Sequence, residues 1–379
     1  MASHESPPAH DLLGVTSEAF EGVREQFRRR TYAGRIYRYL PDDRGALPRG
    51  TVLVGDTAVR GFPKIPRTLV LRTGVPRFFE GTDAVTVEEK LNGYNVRVVR
   101  VGGDLLAFTR GGLVCPFTTY EVRESLGDEL DACFDAHPEA MVCVETIGPE
   151  NPYTAHDYPG VDSLAHRVFD VRERESGTPW PVEDRRAACE RFDLPPVPHL
   201  GTFGVEEAVE VLPGIVEELD AEGREGVVLK SPDATRLLKY TTGAANRGDL
   251  AYAFSVPFDY GRDFMFRRLL REAFQSVEWG ESPEAREVRA HAVGEAILAE
   301  MCDTVEAVAG GAEAGERHTV RAPPAVVEAL LDHLTNAGVK LAVERDERAG
   351  DERVLTFRKN MQSTTDKARL YLGGHVVRE

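Results

Sequence analysis

Seven lysines and 39 arginines make up the 46 basic residues of this 379-residue chain, so arginine is its usual cation. Arginine keeps its proton in proteins, whereas a lysine amine can lose one when desolvated or crowded by other cations. A lysine retained in such a chain is therefore a candidate nucleophile. Lys90 stands in Val87-Glu88-Glu89-Lys90-Leu91-Asn92-Gly93-Tyr94-Asn95-Val96-Arg97, at the end of a predicted strand. Gly93 would let the backbone approach a ligand closely, and Arg97 follows seven residues after the lysine. A solvated strand end with a turn is the plainer reading of so short a segment.

Four further groups follow in order. Phe108-Thr109-Arg110-Gly111-Gly112 puts an arginine at a strand-to-turn junction, and Val142-Cys143-Val144-Glu145-Thr146-Ile147-Gly148 puts a lone carboxylate in an apolar strand. Val168-Phe169-Asp170-Val171 sets an aromatic ring beside an acid. Glu225-Gly226-Val227-Val228-Leu229-Lys230, then Leu238-Lys239-Tyr240, place a carboxylate and two lysines on adjacent strands. Singly, each has a structural explanation: Arg110 as a turn donor, Glu145 as a paired buried acid, Phe169 as core, the lysines as strand-end charges. Jointly, Lys90, Lys230 and Lys239 bring three of the seven lysines into one ordered set.

The elements that must position these residues change texture along the chain. Residues 1–15 read as a loose tail. A helix capped by Ser17 and carrying Phe20, Val23 and Phe27 follows, ending near Arg28-Arg29-Arg30. Strands are expected at Arg35–Leu40 and Thr51–Val54, completing a small α+β module over 1–58. Residues 59–245 are strand-rich (Thr68–Leu71, Val85–Glu89, Asn95–Val101, Leu105–Thr109, Met141–Thr146, Arg167–Val171, Gly226–Lys230 and Arg236–Tyr240), with helices at Thr119–Ala136 and Val205–Glu222. This is an antiparallel-rich α+β domain, not a regular βαβ alternation. It has neither G-x-G-x-x-G after a strand nor a Walker A segment, so Rossmann and P-loop readings lack support. Residues 246–315 are helical, with apolar stripes at Phe264, Leu269, Leu270 and Phe274 and at Val288, Ala292, Ala296, Ile297 and Met301, before a linker at Gly310–Gly315. Residues 316–379 carry a helix at Pro324–Ala337 and a hairpin of Lys340–Glu344 with Val354–Arg358.

Composition sets the outer limits. At 42% hydrophobic and 8% aromatic the chain can bury a real core. Its formal charge of −17, with lysine scarce, suggests a salt-adapted source and leaves nucleic acid open as a partner. Cysteines 115, 133, 143, 189 and 302 form no CxxC or zinc-finger spacing, which points to buried free thiols in a reduced compartment. No signal region or membrane-length apolar run is present, so a cytoplasmic location is expected.

The ordered motifs Lys-x-Asn-Gly, Arg-Gly, apolar-Glu-x-x-Gly, Phe-Asp, Glu-Gly-Val-Val-x-Lys and Leu-Lys-Tyr resemble those of the covalent nucleotidyltransferase superfamily of polynucleotide ligases and capping enzymes. Glu89–Arg97, Gly148-Pro149-Glu150-Asn151-Pro152-Tyr153 and Lys239-Tyr240-Thr241-Thr242 resemble the archaeal homodimeric ATP-dependent RNA ligases. Asn92 stands where the superfamily usually has Asp, as in this branch. Leu237 stands where relatives often carry another lysine.

The resemblance implies an ATP-grasp-like, antiparallel-rich α+β ligase domain with a small N-terminal module, a helical dimerisation element at Asp249–Val308 and a small C-terminal α+β domain. It implies that Lys90 forms a lysyl-AMP from ATP, that AMP passes to the 5′-phosphate of single-stranded RNA, and that a 3′-hydroxyl then displaces it. Lys230 and Lys239, with Mg²⁺ (or Mn²⁺), would depress the amine and neutralise phosphate charge. Within the nucleotide-binding segment 88–92, which includes Leu91 and Asn92, Glu88 or the Glu89 backbone would accept the adenine amine. Phe169 would stack on the base, and Arg97 and Glu145 would address the ribose. Glu145 and Glu225 would flank a hydrated metal, Arg110 would contact phosphates, and Lys64 would reach the triphosphate. A DNA ligase, a capping guanylyltransferase and a non-catalytic RNA-end-binding dimer are the competing readings. The helical turn after Lys239 disfavours the first two, and the intact Lys90 disfavours the third.

Overall fold

A computed structural model describes residues 8–376. Of the loose tail expected over 1–15, residues 1–7 lie outside the described residues, and α1 spans Ala9–Leu12. Helix α2 (Ser17–Glu21) is capped by Thr16, whose hydroxyl accepts from the Ala19 N–H, one residue earlier than expected. It stops at Gly22, and the arginine triplet belongs to strand β1 (Arg28–Tyr32), not to a helix end. There it pairs with β2 (Arg35–Tyr39), which leads to β3 (Val52–Val54) and β4 (Thr57–Val59) in a four-stranded antiparallel sheet. One side of this module closes over Leu13, Phe20, Phe27 and Leu53. The other packs Tyr37, Val52 and Val54 against Val99 and Phe108 of the next unit.

The segment expected as a strand at Thr68–Leu71 leads into helix α3 (Leu71–Phe78), and only Arg67 bridges to Lys239. The spacing of Leu71, Val75 and Phe79 explains this: all three bury on one helical face. Ten strands and helices follow: β5 (Ala84–Lys90), β6 (Tyr94–Val101), β7 (Asp104–Thr109), α4 (Pro116–Ala136), β8 (Ala140–Ile147), β9 (Ala165–Glu173), α5 (Val182–Arg191), β10 (His199–Gly204), α6 (Val205–Ala221) and β11 (Gly226–Lys230). Strand β12 (Leu237–Thr241) completes two antiparallel sheets, ordered β7-β6-β8-β9 and β10-β5-β11-β12. The chain crosses from one sheet to the other at Leu91–Gly93, so Lys90 ends its strand at the seam. On β5, Val85 and Val87 pack under α3 and α6, while Glu88 and Lys90 are exposed to the inter-sheet cavity.

Helices α7 (Gly243–Ser255), α8 (Arg262–Glu278) and α9 (Pro283–Ala309) form the expected helical unit. A buried network holds it together: Asn246 Nδ2 donates to Glu272 Oε1 at 2.6 Å, and Arg289 Nη1 to Glu272 Oε2 at 2.5 Å. The presumed glycine linker ends inside β13 (Gly315–Ala322). Helix α10 (Pro324–Asn336), the hairpin β14 (Leu341–Ala349) and β15 (Glu352–Asn360), and helix α11 (Gln362–Leu372) follow. This hairpin is longer than expected, and β13 joins it as a third strand. Val320, Val327, Leu330 and Phe357 seat the C-terminal sheet and α10 against Cys115 and Phe117 at the start of α4. Four cysteines are buried free thiols; Cys302 is exposed. Among the described residues no helix is long and apolar enough to cross a membrane.

Candidate active site

A cavity of about 600 Å³ opens at the seam between the two sheets. Lys90, Lys230, Lys239, Arg110, Glu145 and Phe169 all line it, although they are up to 149 positions apart in the chain. Lys90 Nζ donates to Glu225 Oε2 at 2.5 Å from the end of β5. Glu225 precedes Gly226, which opens β11 at a φ of 138°. A Cβ there would lie 2.3 Å from the Tyr240 carbonyl oxygen, so only glycine lets β11 pair with β12 while presenting that carboxylate.

Charges in the cavity perturb one another. Burial pushes the Glu145 carboxyl up to about 7, opposed by Lys90 and reinforced by Glu225. Burial, Arg67 and Lys90 together push the Lys239 ammonium down to about 8. Two carboxylates thus face Lys90 with little other compensation, and the cluster of Lys239, Lys90 and Arg67 repels itself. An anion of high charge, with a cation between it and the carboxylates, would relieve both strains.

Glu88 sits one strand turn deeper. Its Oε1 pairs with buried Arg185, and Lys230 Nζ lies 2.7 Å from its Oε2. Lys230 directs its hydrogen bond to the Phe169 carbonyl, so Glu88 Oε2 is held by charge alone and keeps lone-pair capacity in the cavity wall. The Glu89 side chain points the other way, to Arg224 at 3.4 Å. Phe169 reaches the cavity through an irregularity. Val168 pairs with Val144 and Asp170 with Cys143, leaving Phe169 as the extra residue of a β-bulge in β9. The bulge aims its ring outward, edge-on to Phe62 at 5.2 Å between centroids.

Three expectations do not hold as stated. Arg97 is fully buried and outside the cavity lining. It donates to the carbonyl oxygens of Arg60 (2.5 Å), Gly50 (2.8 Å) and Thr109 (3.0 Å), stapling the N-terminal module to β7. Position along β6 explains the difference: Arg97 shares a face with Asn95, which lines the cavity opposite Glu145, but lies two residues further along the strand, opposite Cys143 and beyond the lining. Lys64 is exposed and outside the lining, which takes its neighbours Phe62 and Ile65 instead. Gly93, by contrast, does line the cavity, and it also packs closely on protein: a Cβ would lie 2.2 Å from the Thr146 carbonyl oxygen. Asn92, like Lys64, is outside the lining, with its N–H donated to the Tyr158 hydroxyl at 2.5 Å.

The cavity also takes residues that the motif reading did not select. Asn95 faces Glu145 across β6 and β8, and its buried Oδ1 has no partner. Tyr153 packs on Tyr94 with ring centroids 4.7 Å apart. Both lie in segments already singled out, but their facing depends on strand pairing. Arg49 enters from the N-terminal module, and His333, Leu334 and Lys359 enter from the C-terminal unit. Only the scarcity of lysine could have flagged Lys359.

The donor set suits a hard divalent cation. Glu145 and Glu225 supply carboxylate oxygens, the former insufficiently compensated, and among the described residues no cluster of three or more His, Cys, Asp or Glu forms a dedicated cage. A cation held by one or two carboxylates and completed by phosphates and water fits that arrangement.

A strand-end lysine against a carboxylate, a second carboxylate, an aromatic ring and further lysines gather at the seam of two antiparallel sheets, in the fold of a nucleotidyltransferase. The comparisons narrow the class. The RNA ligase family profile matches residues 83–241, and that of the ligase Pab1020 C-terminal region matches 252–375. The chain is 40% identical to a solved archaeal ATP-dependent RNA ligase, with a TM-score of 0.91 over 97% of this chain and 98% of that one. An uncharacterized protein of Methanocaldococcus jannaschii is 38% identical, covering 86% of this chain and 85% of its own length. A chain from Aquifex aeolicus, provisionally named an ATP-dependent DNA ligase, is 28% identical with a TM-score of 0.87 over 96% of this chain and all of that one. The protein belongs to the archaeal ATP-dependent RNA ligase family.

Proposed function

We propose that this ligase joins the 5′-phosphate and 3′-hydroxyl of single-stranded RNA, circularising it where both ends belong to one molecule. Lys90 Nζ would attack the α-phosphorus of ATP, forming the phosphoramide bond as pyrophosphate leaves. The RNA 5′-phosphate would then displace Lys90 and take the AMP, and the 3′-hydroxyl would displace AMP to form the phosphodiester. One observation carries the reading: Lys90 ends its strand inside a cavity shared with Lys230, Lys239, Glu145 and Phe169, with Glu225 against its amine.

The residues have distinct tasks in it. Glu88, whose Oε2 has only the Lys230 ammonium against it, takes the exocyclic amine of adenine, and Phe169 stacks on the ring. Glu145 and Asn95 address ribose hydroxyls. Lys239 and Arg110 stabilise phosphate charge. Glu145 and Glu225 would hold Mg²⁺ or Mn²⁺, which supplies Lewis-acid stabilisation of phosphoryl oxygens when bound. Incubation with α-labelled ATP and, separately, GTP should give an acid-stable adduct with ATP only. Addition of 5′-phosphorylated RNA should then give a circular product, and a parallel DNA arm tests the acceptor. Absence of any adduct refutes the reading.

We further propose four units, 1–58, 59–245, 246–315 and 316–379, in a cytoplasmic homodimer joined through Asp249–Val308. The exposures on α8 and α9 support that contact. Phe266 (60%), Val277 (68%), Val288 (71%) and Leu298 (62%) face outward, while Glu272 and Gln275 are buried. A helical pair that turns polar groups inward and apolar ones outward needs a partner for the outer face. Sedimentation at micromolar concentration in active buffer should give twice the 41.8 kDa chain mass; a monomer removes the proposal.

A further inference from the structure

The cavity is not built from the nucleotidyltransferase sheets alone. Residues of α10 and β15 form part of its wall, and among them is Lys359, 269 positions beyond Lys90. Lysine usage makes this placement unusual: four of the seven lysines (90, 230, 239 and 359) line the cavity, against two of the 39 arginines (49 and 110). Lysine is thus concentrated in this one space, while nearly all the arginines lie outside it.

Lys359 is also poorly paired. Its side chain is 12% exposed, and its nearest carboxylate oxygen, Glu316 Oε2, is 3.8 Å away, beyond hydrogen-bond reach. That oxygen is already engaged by the Tyr252 hydroxyl at 3.1 Å and has His318 Nε2 at 3.0 Å. The ammonium lies 5.4 Å from the centroid of the Tyr153 ring, itself part of the cavity lining. Burial holds it below the usual lysine range, with Glu316 opposing. A largely desolvated ammonium, held only by a loose ion pair with a carboxylate oxygen it shares with Tyr252 and His318, keeps donors for a further anion in the wall of a cavity that receives polyanions.

We propose that Lys359 is a phosphate-binding residue of the active site, delivered by the C-terminal unit. The phosphate belongs either to the bound nucleotide or to the RNA 5′ end. The inference rests on the ligase reading above, and its test separates the two. Lys359→Met keeps the stem and removes the charge, whereas Lys359→Arg keeps a cation. Each is assayed in two arms: adduct formation from ATP without RNA, and sealing of pre-adenylated RNA without ATP. A nucleotide contact raises the apparent KM for ATP about tenfold or more in Lys359→Met. An RNA contact raises that for pre-adenylated RNA by the same factor. Lys359→Arg should stay within about threefold of wild type in the affected arm. Thermal melting of Lys359→Met should be unchanged or raised, since an underpaired buried charge is removed. If wild type is active and Lys359→Met matches it in both arms, or if Lys359→Met merely melts earlier with both KM values unchanged, the proposal fails. If wild type forms no adduct, the parent reading fails instead.

Discussion

Arg97→Met separates two incompatible roles for one residue. If Arg97 touched ribose, its loss would raise the KM for ATP and leave the melt alone. The structure instead gives its guanidinium three backbone carbonyls, from Gly50, Arg60 and Thr109. A hydrogen bond to a charged donor contributes roughly 1.5–3 kcal/mol, so the three together contribute about 4–9 kcal/mol. Against this stands the cost of burying the charge. Burial pushes the guanidinium down to about 10 from 12.5, which corresponds to about 3 kcal/mol. The net expectation is a destabilisation of about 1–6 kcal/mol, because methionine fills the stem but leaves the carbonyls unpaired. At roughly 2–4 °C per kcal/mol for a chain of a few hundred residues, the melting temperature should fall by about 2–24 °C. The assay pairs a thermal melt with the KM for ATP in adduct formation, measured well below the melt, where KM should stay within about twofold. An unchanged melt with a tenfold rise in KM would refute the staple and return Arg97 to the ribose.

Other expectations follow from the same geometry. Lys90→Ala should form no covalent AMP adduct yet still seal pre-adenylated RNA slowly, since that substrate bypasses the first step; a normal adduct in the variant sinks the nucleophile assignment. Lys239, pushed down to about 8, is cationic below that pH and neutral above it, so kcat/KM for ATP should fall as pH rises through about 8. Lys239→Arg should lose that falling limb, and an identical limb in the variant would exclude Lys239 as its source. With a formal charge of −17, RNA capture should improve as salt rises toward about 1 M, where the Debye length is only ~3 Å and surface repulsion is screened. Affinity and sealing measured from 0.1 to 3 M KCl, with circular dichroism at each point, test this; a monotonic fall with the fold intact would favour ordinary counterion release.

Much of this protein was legible before any coordinates. Strands β5, β6, β8, β11 and β12 read as short runs rich in apolar, mostly β-branched residues bounded by polar or turn residues, and such runs stay strands in any α+β packing. The chemical groups were legible too. Lys90, Glu145, Phe169, Lys230 and Lys239 are marked by residue type and order, and a scarce lysine is informative wherever it stands.

What the tertiary structure alone decided is direction. Arg97 shares the segment of Lys90, yet strand pairing carries it past the cavity into a carbonyl cage. Phe169 reaches the cavity because one extra residue in β9 turns its ring outward. The apolar residues of α8 face away from the protein because buried Glu272 and Gln275 bind Asn246, Arg289 and Tyr240 inside. Lys359 joins the site because α10 and β15 fold back over it from the far end of the chain. Local periodicity specifies which residues share a face of an element. Which face meets the cavity depends on partners tens or hundreds of residues away, and no local pattern encodes them.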